Sequence, residues 1–367
     1  MSQNQKKVKP ASNYPMRLFK GILMAVALGG FLYWGFFFLR DSELPKIFTT
    51  IFAIVWGVGG MTMIYVVINW LVENLLPTNL RHRVLPYVFL LPAMLLLLWF
   101  LIVPTLRTLV MSFSNTNNTE FVGFANYIAV FTERLMLEAF RNNLLWIIVG
   151  TATCIVFGLL IAVLADRSSF ENIAKAIIFM PMAISFVGAG VIWKFVFLYE
   201  PAGKVQRGLL NAIWVGLGGQ PQAWLQMIQP WNNLFLIMVA AWIQTGYAMV
   251  IFSSAIKSVS EEILEAARID GATEVQAFFR IIIPIIKNTI ITVTTTVVIF
   301  MLKIFDVIII MTGGQYGTEV ISTQFYRQFF TNRNQGYGAA ISIVLLLAVI
   351  PVMIYNLREF SKQETFR

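Results

Sequence analysis

Few residues in this 367-residue chain could do chemistry. His82 is its one histidine and Cys154 its one cysteine. His82 stands between Arg81 and Arg83 and lacks the companion ligands that a metal site needs, so a surface basic cluster is the better reading. Cys154 lies in an apolar run, where a lone thiol behaves as a small hydrophobe. A single cysteine forms no disulfide within the chain. No G-x-x-x-x-G-K-[ST] phosphate loop is present, so nucleotide chemistry is not expected here. Three ionisable side chains fall inside long apolar runs: Lys194, Lys303 and Asp306. A lone charge near a bilayer centre costs at least about 2.5–3.5 kcal/mol, which makes each a functional candidate. Lys303 and Asp306 are three residues apart, so on a helix they share a face. They are expected to point away from lipid and to pair, as a structural ion pair or as the lining of a polar path.

The densest set of spaced signals lies between Lys257 and Pro284. Ser258 with Glu261 predicts a capping box for a first short helix. Glu261, Glu262 and Glu265 sit near its positive end and Arg268 near its negative end. Gly271 stands where a helix ends in the left-handed conformation. Thr273 with Gln276 predicts a second capping box, and Pro284 marks the junction with the next apolar run. Ile263, Ala266, Ala267 and Asp270 fall on one small, flat side of the first helix, suited to rigid docking against a partner. An ordinary amphipathic loop at a membrane surface has the same pattern.

The elements that must position these residues are membrane spans. The chain is 58% hydrophobic and only 12% charged, where a soluble domain carries roughly 25% charge. That leaves too little polar surface for a water-soluble particle. Eight apolar runs are long enough to cross a bilayer, at about 20–39, 47–72, 84–106, 143–165, 175–198, 232–256, 288–311 and 338–357. The predicted fold is therefore an all-α membrane protein. The first run follows Lys6, Lys7, Lys9, Arg17 and Lys20 but has no small-residue cleavage pattern, so it reads as an uncleaved span. With both termini in the cytoplasm, 16 Lys and Arg fall in cytoplasmic segments and nine in external loops, the bias the positive-inside rule requires. The same bias accounts for the net charge of +9 without nucleic acid. The external loops, residues 107–142, 199–231 and 312–337, are long; Trp214, Trp224 and Trp231 crowd the second.

Glu265-Ala266-Ala267, then Gly271, then Ile281-x-Ile283-Pro284 resembles the EAA loop of permease subunits of bacterial ATP-binding-cassette (ABC) importers. Every spacing of E-A-A, three residues, G, nine residues, I-x-L-P matches; Ile283 replaces leucine. Ala267-Arg268-Ile269-Asp270-Gly271-Ala272 is similar to the carbohydrate-uptake branch. The resemblance runs over about residues 85–360. It takes in Asn142-Asn143, Pro181, Trp193-Lys194, Trp242, Phe305-Asp306 and Met311-Thr312-Gly313-Gly314. Eight spans, two of them extra at the N-terminus, resemble the larger maltose-type permease.

The resemblance implies a type I importer permease. Residues 1–83 would hold a cytoplasmic tail and the two extra spans, 84–360 the permease core with its loop at 258–284, and 361–367 a second tail. It implies a second permease, two ABC ATPases, an extracytoplasmic solute-binding protein and a sugar substrate, in the lipid of a bacterial cytoplasmic membrane. ATP and Mg would bind the ATPases; this chain would hold no cofactor and would be no enzyme. Glu265, Ala266, Ala267, Asp270 and Gly271 would couple to the ATPase. Met182, Ile243 and Gln244 match the sugar path by position, and Lys303 and Asp306 are candidates to line it. Leu302–Val307 with Gly317–Ile321 resembles permeases for α-glucosides and glucosylated solutes. The competing expectation is an ion-coupled secondary transporter. That reading requires coupling residues inside the spans and broken helices in repeated halves, and no paired half-helices are legible.

Overall fold

The computed structural model describes residues 14–364. Lys6, Lys7 and Lys9 of the expected N-terminal tail, and Arg367 at the other end, lie outside the described residues. The described residues are almost wholly helical, with one isolated β-bridge, Ser114–Phe121. Seven helices are long and apolar enough to cross a membrane, or eight when one sharply bent pair is taken as a single span.

The chain divides into two compact units at Thr105–Leu106, and the third apolar helix, α3 (Asn79–Met111), contains the division. In the first unit α1 (Tyr14–Asp41) and α2 (Lys46–Leu75) form a hairpin. Gly35 admits the Trp56 indole, whose Nε1 donates to the Phe31 carbonyl at 3.3 Å. Arg81 pairs with Glu73 at 2.8 Å across the α2–α3 turn. Within α1 and α2 only 6% of the most apolar window is buried. Helices apolar all round and yet uncovered are solvated by lipid.

The second unit is built around α9 (Trp231–Lys257), 61% of whose apolar window is buried. Against it pack α5 (Arg134–Asp166), α6 (Glu171–Ala183), α7 (Phe186–Val196) and α12 (Lys287–Leu302). Trp146, Leu236, Met249, Phe252, Val297 and Met301 form the centre of its core. Small residues bring these helices together, as is common where lipid gives no hydrophobic drive for association. A Cβ at Gly158 of α5 would lie 2.7 Å from that of Ala248, and one at Gly246 of α9 would lie 2.5 Å from the Ile178 carbonyl of α6. A second cluster joins α4 (Ala125–Thr132), α5, α14 (Ile321–Tyr326) and α15 (Gln335–Glu364) through Val130, Met136, Ile321 and Ile341. Short helices complete the unit: α8 (Leu209–Gly216), α10 (Glu261–Ile269), α11 (Glu274–Ala277) and α13 (Asp306–Met311).

Candidate functional site

The segment between α9 and α12 folds as two short helices about a sharp turn. Gly271 has φ +82°, and the amides of Gly271 and Ala272 return to the carbonyls of Arg268 and Ala267 at 3.1 and 2.9 Å. Glycine is needed for its backbone angle alone, because the space around its Cα is open. The predicted Thr273–Gln276 capping box forms in both directions, at 3.3 and 2.9 Å. The predicted Ser258 box does not. Ser260 precedes α10 without a side-chain cap, and the Ser258 hydroxyl donates to the Ala255 carbonyl at 2.7 Å, finishing α9. The flat face of α10 is divided. Ala267 turns inward, while Ile263, Glu265, Ala266 and Asp270 are open. Ile269 is 86% exposed, and Val275 and Phe279 are exposed nearby. A row of open apolar side chains on a charged loop has the make-up of an unfilled interface.

Charges tie this loop to the bundle. Arg167, at the end of α5, meets Glu274 at 2.6 Å, and Arg268 meets the same carboxylate at 3.0 Å. The Arg268 hydrogen bond and charge, with Arg167 behind them, hold the Glu274 carboxyl below its ordinary range. Beside this lies a clasp that the sequence reading missed. The Lys175 ammonium contacts Asp166 and Glu171, each at 2.5 Å, and donates to the Ser253 hydroxyl at 2.5 Å. Ser253 donates to Asp166 at 2.6 Å, and Lys257 also pairs with Glu171. One cation therefore joins the end of α5, the start of α6 and the end of α9. The i,i+4 spacing of Glu171 and Lys175 was the legible signal.

One span is broken and a second is interrupted. The fifth apolar run is the pair α6 and α7, bent by 102°. Ser185 starts α7 by accepting the Gly188 amide at 3.0 Å. The seventh run stops at Leu302 and resumes at Asp306. The two resumed segments pack together, a Cβ on Gly190 lying 3.1 Å from Ile310, and the Phe186 ring of α7 stands 5.3 Å from Phe300 of α12. One bent pair is thus present where no paired half-helices were legible, without a second such pair among the described residues, and the seventh run is interrupted. The break also overturns the expected Lys303–Asp306 pair. Lys303 ends one helix and is exposed, Asp306 begins the next, and neither has an ion pair among the described residues.

Met182 is exposed at the bend, whereas Ile243 and Gln244 are buried in α9. Two of the clefts in this unit exceed about 450 Å³. One of about 490 Å³ is walled by Phe157, Ile177, Met238 and Trp242. Another of about 510 Å³ is lined by Lys194, Trp224 and Tyr316. Neither is lined by Met182, Ile243, Gln244, Lys303 or Asp306.

At the end of the bundle opposite the short-helix loop, amides clamp residues 312–320. Asn142 donates to the carbonyls of Gly317 and Glu319 at 2.8 and 2.7 Å. Asn143 donates to Leu302 at 3.0 Å and accepts the Ile321 amide at 2.8 Å. Asn232 donates to Tyr316 at 2.6 Å, and Gln229 to Glu138 at 3.0 Å. Glu319 is buried against Thr323 (2.6 Å) and the Arg327 guanidinium. Burial pushes its carboxyl above the ordinary range, although Thr323 and Arg327 pull the other way. A carboxyl raised in the fold contributes stability that is complete below its unfolded value and is lost as pH rises through its folded value. The melting temperature of the purified protein is therefore expected to fall across that window, and Glu319→Gln to flatten the slope. An unchanged slope in that variant would remove Glu319 as its source.

Residues 154–359, more than half of the chain, match the family described as "Binding-protein-dependent transport system inner membrane component". The chain belongs to this family. It is accordingly a multi-pass transport component of the cytoplasmic membrane and no enzyme. Among its curated relatives, the osmoprotective compounds uptake permease protein GgtC of Synechocystis is 51% identical over 75% of this chain and 99% of its own length. The alpha-glucoside transport system permease protein AglF of Rhizobium meliloti is 45% identical over 78% of this chain and 85% of its own. The fold is that of a bacterial ABC transporter importing the acidic polysaccharide alginate, with TM-score 0.65 at 23% identity over 76% of this permease and 97% of that chain. Membership in this family, rather than any lack of broken helices, is what sets aside the ion-coupled alternative.

Proposed function

We propose that this chain is one permease half of an ATP-driven importer for an α-glucoside or glucosylated solute, coupled to its ATPases through residues 258–284. The conformation of that loop carries the reading. A helix with open Ile263 and Ile269 turns at Gly271 into a capped second helix that is ion-paired to α5. A partner pressing on α10 would move a body already fixed to the bundle. Two relatives support this substrate class, one an α-glucoside permease and the other an uptake permease for osmoprotective compounds. The assembly would comprise a second permease, two ATPases that bind ATP and Mg, and a solute-binding protein on the outer face. Both termini would be cytoplasmic, with residues 84–360 as the core after two extra spans. Met182, Ile243, Gln244, Lys303 and Asp306 remain the proposed path, reached in the assembled pair.

Co-expression with candidate genes for an ATPase, a second permease and a solute-binding protein tests this. The chain is expected to co-purify with an ATPase and a second, different permease. ATP hydrolysis by that complex is expected to rise when the binding protein and an α-glucoside such as trehalose are added. Solute-stimulated hydrolysis by this chain alone would overturn the proposal.

A further inference from the structure

The 510 Å³ cleft at the end of the bundle opposite the coupling loop is unused by this reading. It opens between the end of α7, the Trp224–Gln226 turn and residues 309–316. Its walls carry two kinds of group. Trp224, Tyr199 and Tyr316 offer aromatic surface. Trp224 is held by edge-on contacts with Trp214 and Phe235, at 6.1 and 5.1 Å between ring centroids. Lys194, Gln226 and Gln315 offer polar heads. None of these three side chains makes a hydrogen bond or ion pair among the described residues, though each is exposed at the cleft. Lys194 in particular is an unpaired cation near the end of an apolar segment, where ionisable groups mark solute pathways.

Tyr316 adds a separate observation. Its φ is +58°, an unfavourable angle for a side-chain-bearing residue. Asn232 holds its carbonyl at 2.6 Å. Strained backbone that the surrounding structure maintains tends to serve a site. Here it sets an exposed phenol on the rim of the cleft.

We infer that this cleft is an outer subsite for a neutral glycoside, occupied before the solute reaches the path within the bundle. Flat aromatic faces suit the C–H faces of a pyranose ring, and free amides with an ammonium suit its hydroxyls. The volume is that of a small-molecule site. The inference rests on the sugar-import reading above.

The test is photolabelling of the assembled transporter with p-azidophenyl α-D-glucoside, with and without binding protein and ATP, followed by peptide mapping. Peptides carrying Tyr199, Trp224 or Tyr316 are expected to be labelled, and excess trehalose to suppress the label about tenfold. Tyr316→Ala and Gln315→Ala are expected to lose label to a similar extent while assembly and melting temperature hold. A transporter that takes up the glucoside without labelling these peptides overturns the subsite alone. Label displaced by glucuronate but not by trehalose overturns it in favour of an anionic ligand. Absence of both uptake and label overturns the sugar reading and the subsite with it.

Discussion

Replacing Gly271 by proline is expected to abolish solute uptake while the chain still inserts and folds. The native φ of +82° is closed to proline, whose ring holds φ near −65°. The substitution also removes the amide that donates to the Arg268 carbonyl at 3.1 Å. The turn must open, and α10 then leaves its fixed angle to α11. Gly271→Ala is a graded control. It costs about 1–2 kcal/mol for the left-handed angle but meets open space, so part of the uptake survives. Glu265→Lys isolates the proposed partner contact from the fold. Its side chain is exposed and makes no hydrogen bond or ion pair among the described residues. Its melting temperature is therefore expected to be unchanged while ATPase association is lost. Normal uptake by both Gly271→Pro and Glu265→Lys would overturn the proposed coupling role of the loop.

Lys175→Met is expected to destabilise the protein by about 3 kcal/mol, the lower end of the cost of leaving buried charge unpaired. Asp166 and Lys175 have side chains only 12% and 18% exposed, so solvent screens them little. The Arg167–Glu274 pair provides the contrast. Its side chains are 59% and 50% exposed, and such pairs contribute about 0–1 kcal/mol. Thermal unfolding of the purified protein separates the two cases. Arg167→Met should shift the midpoint little, and Lys175→Arg should restore most of what Lys175→Met loses. A Lys175→Met midpoint equal to wild type would mean that water, not the clasp, satisfies Asp166 and Glu171.

The spans were legible because bilayer thickness leaves a plain length-and-apolarity pattern, and each predicted run corresponds to an apolar helix or bent pair. What the pattern hides is interruption. Ser185 and Lys303 both lie inside runs whose average hydropathy stays high, and a polar cap in mid-run leaves no trace in an average. The expectation that Lys303 and Asp306 share a helical face failed there, because the spacing rule presumes one continuous helix. Local signals fared by competition. Thr273 had no better partner than Gln276, whereas the hydroxyl of Ser258 was taken by the carbonyl at Ala255. Asn142 and Asn143 were noticed by resemblance, but their partners lie 159 to 178 residues away. Contacts at that separation follow from tertiary packing alone. Nothing in the sequence places Met182, Ile243 and Gln244 in one cavity, and they remain expectations carried from the family.

The close approach of α5, α6 and α9 at Gly158 and Gly246 has a mechanical consequence. A side chain larger than hydrogen has no room at either crossing, so these helices are expected to move as one frame. Hinging is expected at Ser185 and at Lys303–Phe305, where the helices are interrupted. Rotation about a joint that exists beforehand breaks no helical hydrogen bond, each of which would otherwise cost about 1 kcal/mol. The short arms beyond those joints, α7 and α13, touch through Gly190 and Ile310. A turn at either joint is therefore expected to carry both arms together.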